Sequence, residues 1–164
     1  MQDRKEKFCS AIRDSEKSMY ILAMGIVKNE QDAADVMQNA ALKAYCNLDQ
    51  LRSWKSFRSW ILSIVHHTAI EFLRKRHDIT CMEDAAVLEI PDTNRETATR
   101  VSVWEAVQRV SESCREAIIL FYYEGCSLQQ IADITGTSIP AVKQQLFRGR
   151  KQLAKLLRKE DFLE

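Results

Sequence analysis

The chain has 164 residues, 46% of them hydrophobic and 29% charged, with a net charge of +1. That length holds one medium domain or two small ones, and only four glycines and two prolines argue against a loop-rich β protein. No apolar run reaches the roughly 18–20 residues of a membrane span, and no signal peptide opens the chain, so the expected compartment is the cytoplasm. Five scattered cysteines (Cys9, Cys46, Cys81, Cys114, Cys126) form no CxxC pair, which argues against a disulfide framework or a zinc knuckle. Cys46, His66, His67 and Cys81 read as ordinary residues rather than ligands, and no metal or cofactor is expected.

The periodicity is helical almost throughout. Residues 5–28 place Phe8, Ile12, Met19, Leu22, Ala23, Ile26 and Val27 at helical spacing. Asn29 is suited to cap a second helix running to about Leu48. Its apolar stripe is Val36, Met37, Ala40, Ala44 and Leu48, while Asp35, Gln38, Asn39 and Leu42 fall on another side. A third helix over about 55–76 is marked by Phe57, Trp60, Ile61, Ile64, Val65, Ala69, Phe72 and Leu73. Residues 77–97 break the period, contain Pro91 and read as a flexible acidic linker. Beyond it, Val103, Trp104, Val107 and Val110 mark one helix, and Ile118 to Tyr122 belong to the next, which Gly125 is placed to end. Strand signals are absent, so the predicted fold is all-α, with two small helical domains joined by that linker.

Residues 127–153 predict a helix-turn-helix. Ser127 and Gln130 have capping-box spacing, and Ala132 supplies the small side chain that a close helix crossing tolerates. Gly136 sits where the turn needs positive φ. Ser138 is placed to cap the second helix, and Pro140 falls in its first turn, where a missing N–H costs little. At 100° per residue Ile139, Val142, Leu146, Gly149 and Leu153 share one arc, leaving Lys143, Gln144, Phe147, Arg148 and Lys151 on the solvent side. Such a helix can enter a major groove. Gln144 suits adenine, Arg148 or Lys143 suits guanine, and Phe147 suits a thymine methyl; Arg150 and Lys155 suit phosphates.

Charge is segregated in a way the total conceals. Residues 52–77 carry Arg52, Lys55, Arg58, Arg74, Lys75 and Arg76 against Glu71 alone, a balance of +5. Residues 139–159 carry seven cations and no acid, +7, while residues 83–97 carry five acids against Arg95, −4. The stretch "LRSWKSFRSW" (51–60) interleaves cations with aromatics. Phe57 and Trp60 fit the apolar stripe. Trp54 does not, and is either a rim residue of the bundle or part of a pocket for an unstacked base. Base–aromatic stacking is worth about 1–3 kcal/mol per base, comparable to the few kcal/mol that extruding a base costs. Stacking plus phosphate charge can therefore hold a strand open without ATP.

Four stretches carry a resemblance: "DAADVMQNAALKAY" (32–45), "SFRSWILSIVHHTAIEFLRKR" (56–76), the acidic linker, and "SCREAIILFYYEGCSLQQIADITGTSIPAVKQQLFRGRKQL" (113–153). In this order the chain resembles bacterial extracytoplasmic-function (ECF) sigma factors of the sigma-70 family, over about residues 8–157. The resemblance implies region 2 over 1–77, a linker over 78–97 and region 4 over 98–164. It implies that Asp35, Gln38, Asn39 and Leu42 bind the clamp helices of the RNA polymerase β′ subunit. The −10 element would be captured as single strand at Leu51, Arg52, Ser53, Trp54, Lys55, Ser56, His67, Arg74 and Arg76. The −35 element would be read as duplex by Ser138, Lys143, Gln144, Phe147, Arg148, Arg150 and Lys151, with region 4 also docking the β flap. It implies further an anti-sigma factor as partner and no catalytic residue. Asn39, His67, Glu71 and Gln145 depart from the family pattern, where an acid, Asn, Asp and Arg are usual. The alternative left by the residues is a helix-turn-helix regulator whose first half senses a ligand or dimerises.

Overall fold

The computed structural model describes residues 2–82 and 102–161, and every regular element among them is helical. Most of the predicted linker lies outside the described residues. The first half is a bundle of α1 (Gln2–Val27), α2 (Glu30–Cys46) and α3 (Phe57–Met82). Lys28 takes a left-handed φ of 57° and its N–H returns to the Met24 carbonyl at 3.0 Å, ending α1. The Asn29 side chain then accepts from the Asp32 N–H at 3.0 Å, as expected of a cap, and starts α2. Five alanines (Ala23, Ala33, Ala40, Ala44, Ala69) are fully buried between the three helices. Their small side chains let the backbones approach while Met19, Leu22, Val36, Ile61, Leu62 and Val65 fill the centre.

Two helix ends differ from the periodicity. The second helix stops at Cys46, because both the N–H and the side-chain amide of Asn47 turn back to the Lys43 carbonyl. Leu48 is still buried, but from a short 3-10 turn. The third helix runs on to Met82, past the expected end near 76, since no Gly or Pro interrupts "HDITCM". Its apolar period fades there because the extension leaves the bundle, with His77, Asp78 and Ile79 exposed.

The second half comprises α4 (Val103–Arg109), α5 (Glu112–Ile118), α6 (Leu128–Thr135) and α7 (Ile139–Asp161). Reciprocal capping boxes start α4 (Ser102 with Glu105) and α6 (Ser127 with Gln130). In α4 Ala106 and Val107 are buried, together with Val110 at its end, while Val103, expected on the inner stripe, is exposed. The segment after α5 is not plain α-helix. Residues Ile119–Tyr123 form a π turn, in which the Glu124 N–H reaches five residues back to Ile119 at 3.1 Å. Gly125, φ 64°, closes that turn, and the Cys126 N–H bonds to Leu120 at 2.9 Å.

The helix-turn-helix forms as the spacing predicts. Gly136 has φ 69° and ψ 30° and returns its N–H to the Ala132 carbonyl. Ser138 then caps α7 through the Ala141 N–H at 3.3 Å. Ile131, Ile134, Val142 and Leu146 are buried beneath the turn. Gly149 fits α7 closely over α5, since a Cβ there would stand 2.9 Å from Ile118.

The two halves are also packed on each other. Buried residues of α1 and α3 merge with those of α5, the π turn and α6 into one apolar cluster. A Cβ on Gly25 of α1 would run into the Cδ1 of Ile119, so glycine lets the π turn seat on α1. Polar groups cross the same seam. The Arg115 Nε donates to the Gly25 carbonyl and its Nη1 to the Val110 carbonyl, the latter at 2.8 Å. His66 Nε2 donates to the Glu116 carboxylate at 2.9 Å, with both side chains more than 90% buried. Arg58 pairs at 2.7 Å with Glu124, whose side chain is 1% exposed.

A Gly136→Val substitution isolates the demand of the turn, because nothing lies within 4 Å of a Cβ built there. The expected loss is about 1–2 kcal/mol of stability from the left-handed backbone alone. Gly136→Asn should lose less, and denaturant unfolding of the two variants checks the difference.

Candidate polymerase and nucleic-acid interfaces

Three exposed surfaces gather the residues singled out from the sequence. The first is the outer side of α2. Once Val36, Ala40 and Ala44 are turned into the bundle, Asp35, Gln38, Asn39 and Leu42 must face out, and all four are exposed, Leu42 by 65%. Grooves flank this stripe on both sides. One, of about 370 Å³, runs between α2 and α3 past Asn39, Leu42, Lys43, Thr68, Glu71 and Phe72. The other, of about 660 Å³, runs between α1 and α2 past Lys17, Tyr20, Ala34, Met37 and Gln38. An exposed leucine between two grooves, ringed by amides and one acid, is suited to receive partner helices. Glu71 is fixed beneath this face by Lys43 at 2.8 Å and Lys75 at 3.2 Å. Those hydrogen bonds, Lys43 first, hold its carboxyl down at about 2.

The second surface is the segment from Leu48 to Ser56 with the outer face of α3. Two short turns, Leu48–Gln50 and Trp54–Ser56, fold the segment tightly. Ser53 caps the second turn, taking the Lys55 N–H on its hydroxyl at 3.3 Å, and its carbonyl accepts the Ser56 hydroxyl at 2.8 Å. Arg4 of α1 bonds the Leu48 carbonyl and Asp49, each at 3.0 Å. Trp54 is half-buried. Its ring stacks on buried Phe57 with centroids 5.8 Å apart, planes 24° apart, and Lys7 Nζ lies 5.2 Å from its centroid. Phe57 is itself wedged between Phe8 and Trp60. Trp54 is therefore a rim residue with one face braced by the core. Around it Arg52, Ser53, Lys55 and Ser56 are exposed, and Leu51 is half-buried.

Further along α3, His67 and Arg74 are exposed. His67 Nδ1 lies 2.7 Å from the Ser63 carbonyl, which can only accept. That nitrogen carries the proton, and when the ring is neutral Nε2 is left as an acceptor. Arg76 is engaged by Asp32 of α2, so this cation of the predicted patch is tied back to the bundle.

The third surface is α7. Lys143, Gln144, Phe147, Arg148, Arg150 and Lys151 are all exposed, opposite buried Val142, Leu146 and Gly149. Phe147 is 56% exposed, an unusual position for a phenylalanine, and Lys151 Nζ stands 4.5 Å from its ring centroid. Arg150 leans toward the Tyr122 ring at 6.0 Å. Ser138 is exposed with its hydroxyl oxygen already accepting the Ala141 N–H, leaving its O–H as a donor. Gln145 is the exception on this helix. It is half-buried and turns toward the seam between the halves, near His66, Glu112 and Glu116.

Sequence reasoning missed the polar groups of that seam. Arg115 and Glu116 sit inside "SCREAIILF", where charges within an apolar run are the signal that was available. Burial pushes the Arg115 guanidinium down, and nearby Glu112 and Glu116 oppose that shift. Nothing comparable marks His66, which differs from its neighbour His67 only in facing inward. Burial pushes the Cys126 thiol up, so that residue is a poor nucleophile. Among the described residues no group of three or more His, Cys, Asp or Glu side chains is arranged to hold a metal. No helix among them is long and apolar enough to cross a membrane.

Comparison with known proteins gives the class. Residues 12–78 match the family model of Sigma-70 region 2, and residues 100–153 match that of Sigma-70, region 4. RNA polymerase sigma factor SigV of Bacillus subtilis (strain 168) is 32% identical over 160 residues, covering 98% of this chain and 96% of that protein. ECF RNA polymerase sigma factor SigM of Mycobacterium tuberculosis is 28% identical over 152 residues, covering 92% of this chain and 76% of that one. The fold is also similar to that of the sigma factor RpoE, solved in complex with the anti-sigma factor NepR from Bartonella quintana. The TM-score there is 0.78, with 22% identity and coverage of 96% and 98% of the two chains. Sigma factors are non-catalytic transcription initiation factors. The exposed stripe of α2, the braced aromatic loop and the basic face of α7 thus fall in the order of two matched regions, and the chain belongs to the sigma-70 family, as an alternative sigma factor of the ECF type that directs core RNA polymerase to promoter DNA.

Proposed function

We propose that the three surfaces divide the work of initiation as follows. Asp35, Gln38, Asn39 and Leu42 dock the clamp helices of the polymerase β′ subunit, and region 4 docks the β flap. Leu51 to Ser56, with His67, Arg74 and Arg76, hold the −10 element as an unpaired strand. Ser138, Lys143, Gln144, Phe147, Arg148, Arg150 and Lys151 read the −35 element as duplex. The observation that carries this reading is the segregation on α7. One stripe is buried to hold the helix down, while every cation from 143 to 151 is exposed. Such a helix presents amide, guanidinium and aromatic groups to base edges while its flanking cations neutralise phosphates.

Downstream the chemistry is different. Trp54 has one ring face braced by Phe57 and lies among exposed Arg52, Lys55 and Ser53. A base stacked near it would gain about 1–3 kcal/mol, with the cations on the backbone. Arg76 would exchange its bond to Asp32 for a phosphate, which makes its contribution a difference between two ion pairs rather than a full gain.

The domain division in this reading is 1–77 and 98–164 about the acidic linker. The protein itself catalyses nothing, and it acts in the bacterial cytoplasm, where core polymerase is found. An anti-sigma factor is a further partner, by analogy with RpoE and CnrH, whose solved structures are complexes with NepR and with the cytosolic domain of CnrY.

The chain alone should shift promoter duplex weakly, and specific run-off transcripts should appear only when it is added to core polymerase. Tight, polymerase-independent binding to a palindrome would instead indicate a repressor-like regulator. Arg148→Ala should cost about 1–3 kcal/mol of discrimination at one position of the −35 element, read as the loss of preference between matched and mutated −35 promoters. Trp54→Ala should impair transcription from closed duplex more than from a pre-melted template. Equal defects on the two templates would argue against strand capture.

A further inference from the structure

The first two turns of α1 touch the segment from Leu48 to Phe57 at three points. Arg4 donates to the Leu48 carbonyl and pairs with Asp49, each at 3.0 Å, which ties down the start of the segment. Phe8 packs edge-on against Phe57, with ring centroids 6.0 Å apart. Lys7, the residue before it, holds its Nζ 5.2 Å from the centroid of the Trp54 ring. The order of residues does not announce this contact, because it joins α1 to a turn far along the chain.

Lys7 differs from nearby cations in being uncommitted. Arg4 is paired with Asp49, Arg58 with Glu124 and Arg76 with Asp32. Lys7 is exposed and belongs to none of the ion pairs among the described residues. Its neighbour is an indole, and an exposed cation–π contact is weak enough to be exchanged for a phosphate. The basic stretch 52–77 thus loses Arg58 to an acid on another element and gains Lys7 from α1.

We propose that Lys7 is a further DNA-contacting residue of the −10 site, the ammonium that neutralises the phosphate of the nucleotide whose base stacks on Trp54. This rests on the reading of Trp54 as a strand-capture residue. A base that reaches the ring meets the ammonium already beside it. The flexible lysine stem lets the charge move from the ring to the backbone of the same nucleotide. Stacking and charge neutralisation are then coupled at one nucleotide. The ring takes only an unpaired base, since a base within a duplex is already stacked, and the ammonium adds affinity once that base is in place. Arg4 is a positioning residue in this arrangement. Its guanidinium is engaged by Leu48 and Asp49 and holds the segment against the helix that carries Lys7.

The test is equilibrium DNA binding by holoenzyme, formed from core polymerase and the full chain, over a salt series. Two templates come from a promoter the chain is shown to use: a fork with the −10 block unpaired, and the same fragment ending as duplex upstream of that block. Lys7→Gln, Lys7→Arg and Trp54→Ala are compared with the unaltered chain. Glutamine is a good helix former, so Lys7→Gln leaves α1 intact. Each phosphate neutralised on a single strand adds about 0.7 to the steepness of log affinity against log salt. Lys7→Gln should therefore bind the fork more weakly and with a slope shallower by about 0.7, so that its defect shrinks about 2.6-fold between about 50 and 200 mM salt. Lys7→Arg should keep the original slope, and the duplex-ended fragment should not distinguish the two variants from the unaltered chain. A merely structural Lys7 would lower affinity with no change of slope. That result, an unaltered fork affinity, or an equal change of slope on both templates would overturn the assignment. Fork binding by Trp54→Ala as tight as that of the unaltered chain would instead overturn strand capture itself, so the two failures are distinct.

Discussion

Two consecutive isoleucines hold this structure together. Ile118 seats against Gly149 of α7, and Ile119 against Gly25 of α1. Neither partner position tolerates a Cβ without displacement, so α5 and the π turn act as a strut between α7 on one side and the region 2 bundle on the other. The π turn is what makes the strut two-sided. By placing one extra residue in its turn it changes the direction in which the side chains after Ile118 project. It also delivers Glu124 to Arg58 across the seam.

The same strut joins surfaces for which unlike jobs are proposed. The proposed polymerase docking needs an exposed apolar residue flanked by grooves, and α2 has Leu42 in that position once its alanines are spent inside. The proposed strand capture needs an aromatic ring that is held yet reachable: half-buried Trp54 stacks on Phe57, which Phe8 and Trp60 brace in turn, with Lys7 Nζ 5.2 Å from the Trp54 ring centroid. Duplex reading needs a helix pinned along one stripe and bare along the other. In each case the buried residues decide the geometry and the exposed ones carry the proposed chemistry. Two cations of the basic stretch 52–77, Arg58 and Arg76, are each paired with an acid on another element.

Much of this was legible in the sequence because it is local. Asn29, Ser127 and Ser138 cap the helices they precede, and Gly136 takes the left-handed conformation its position demands. The inner arc of α7, Val142, Leu146 and Gly149, is buried as its 100° spacing requires. What was not legible is non-local. The apolar period gives no warning that Ile119 and Leu120 enter a π turn, since the change lies in one extra residue between hydrogen-bond partners. Nor does it distinguish His66 from His67, because which side of α3 is covered depends on α5, fifty residues away in the chain. Helix ends were read short at Met82 and long at Leu48 for a related reason. An apolar residue can stay buried from a turn, and a helix can continue where it buries nothing.

The most direct test of the whole account is transcription by core polymerase from a pool of randomised upstream sequences, with and without the purified chain, reading start sites and the sequences selected. The account predicts chain-dependent starts preceded by two conserved blocks at the −35 and −10 positions with a nearly constant spacer. Starts indistinguishable from those of core polymerase alone, or selection of a single palindromic block, would contradict it.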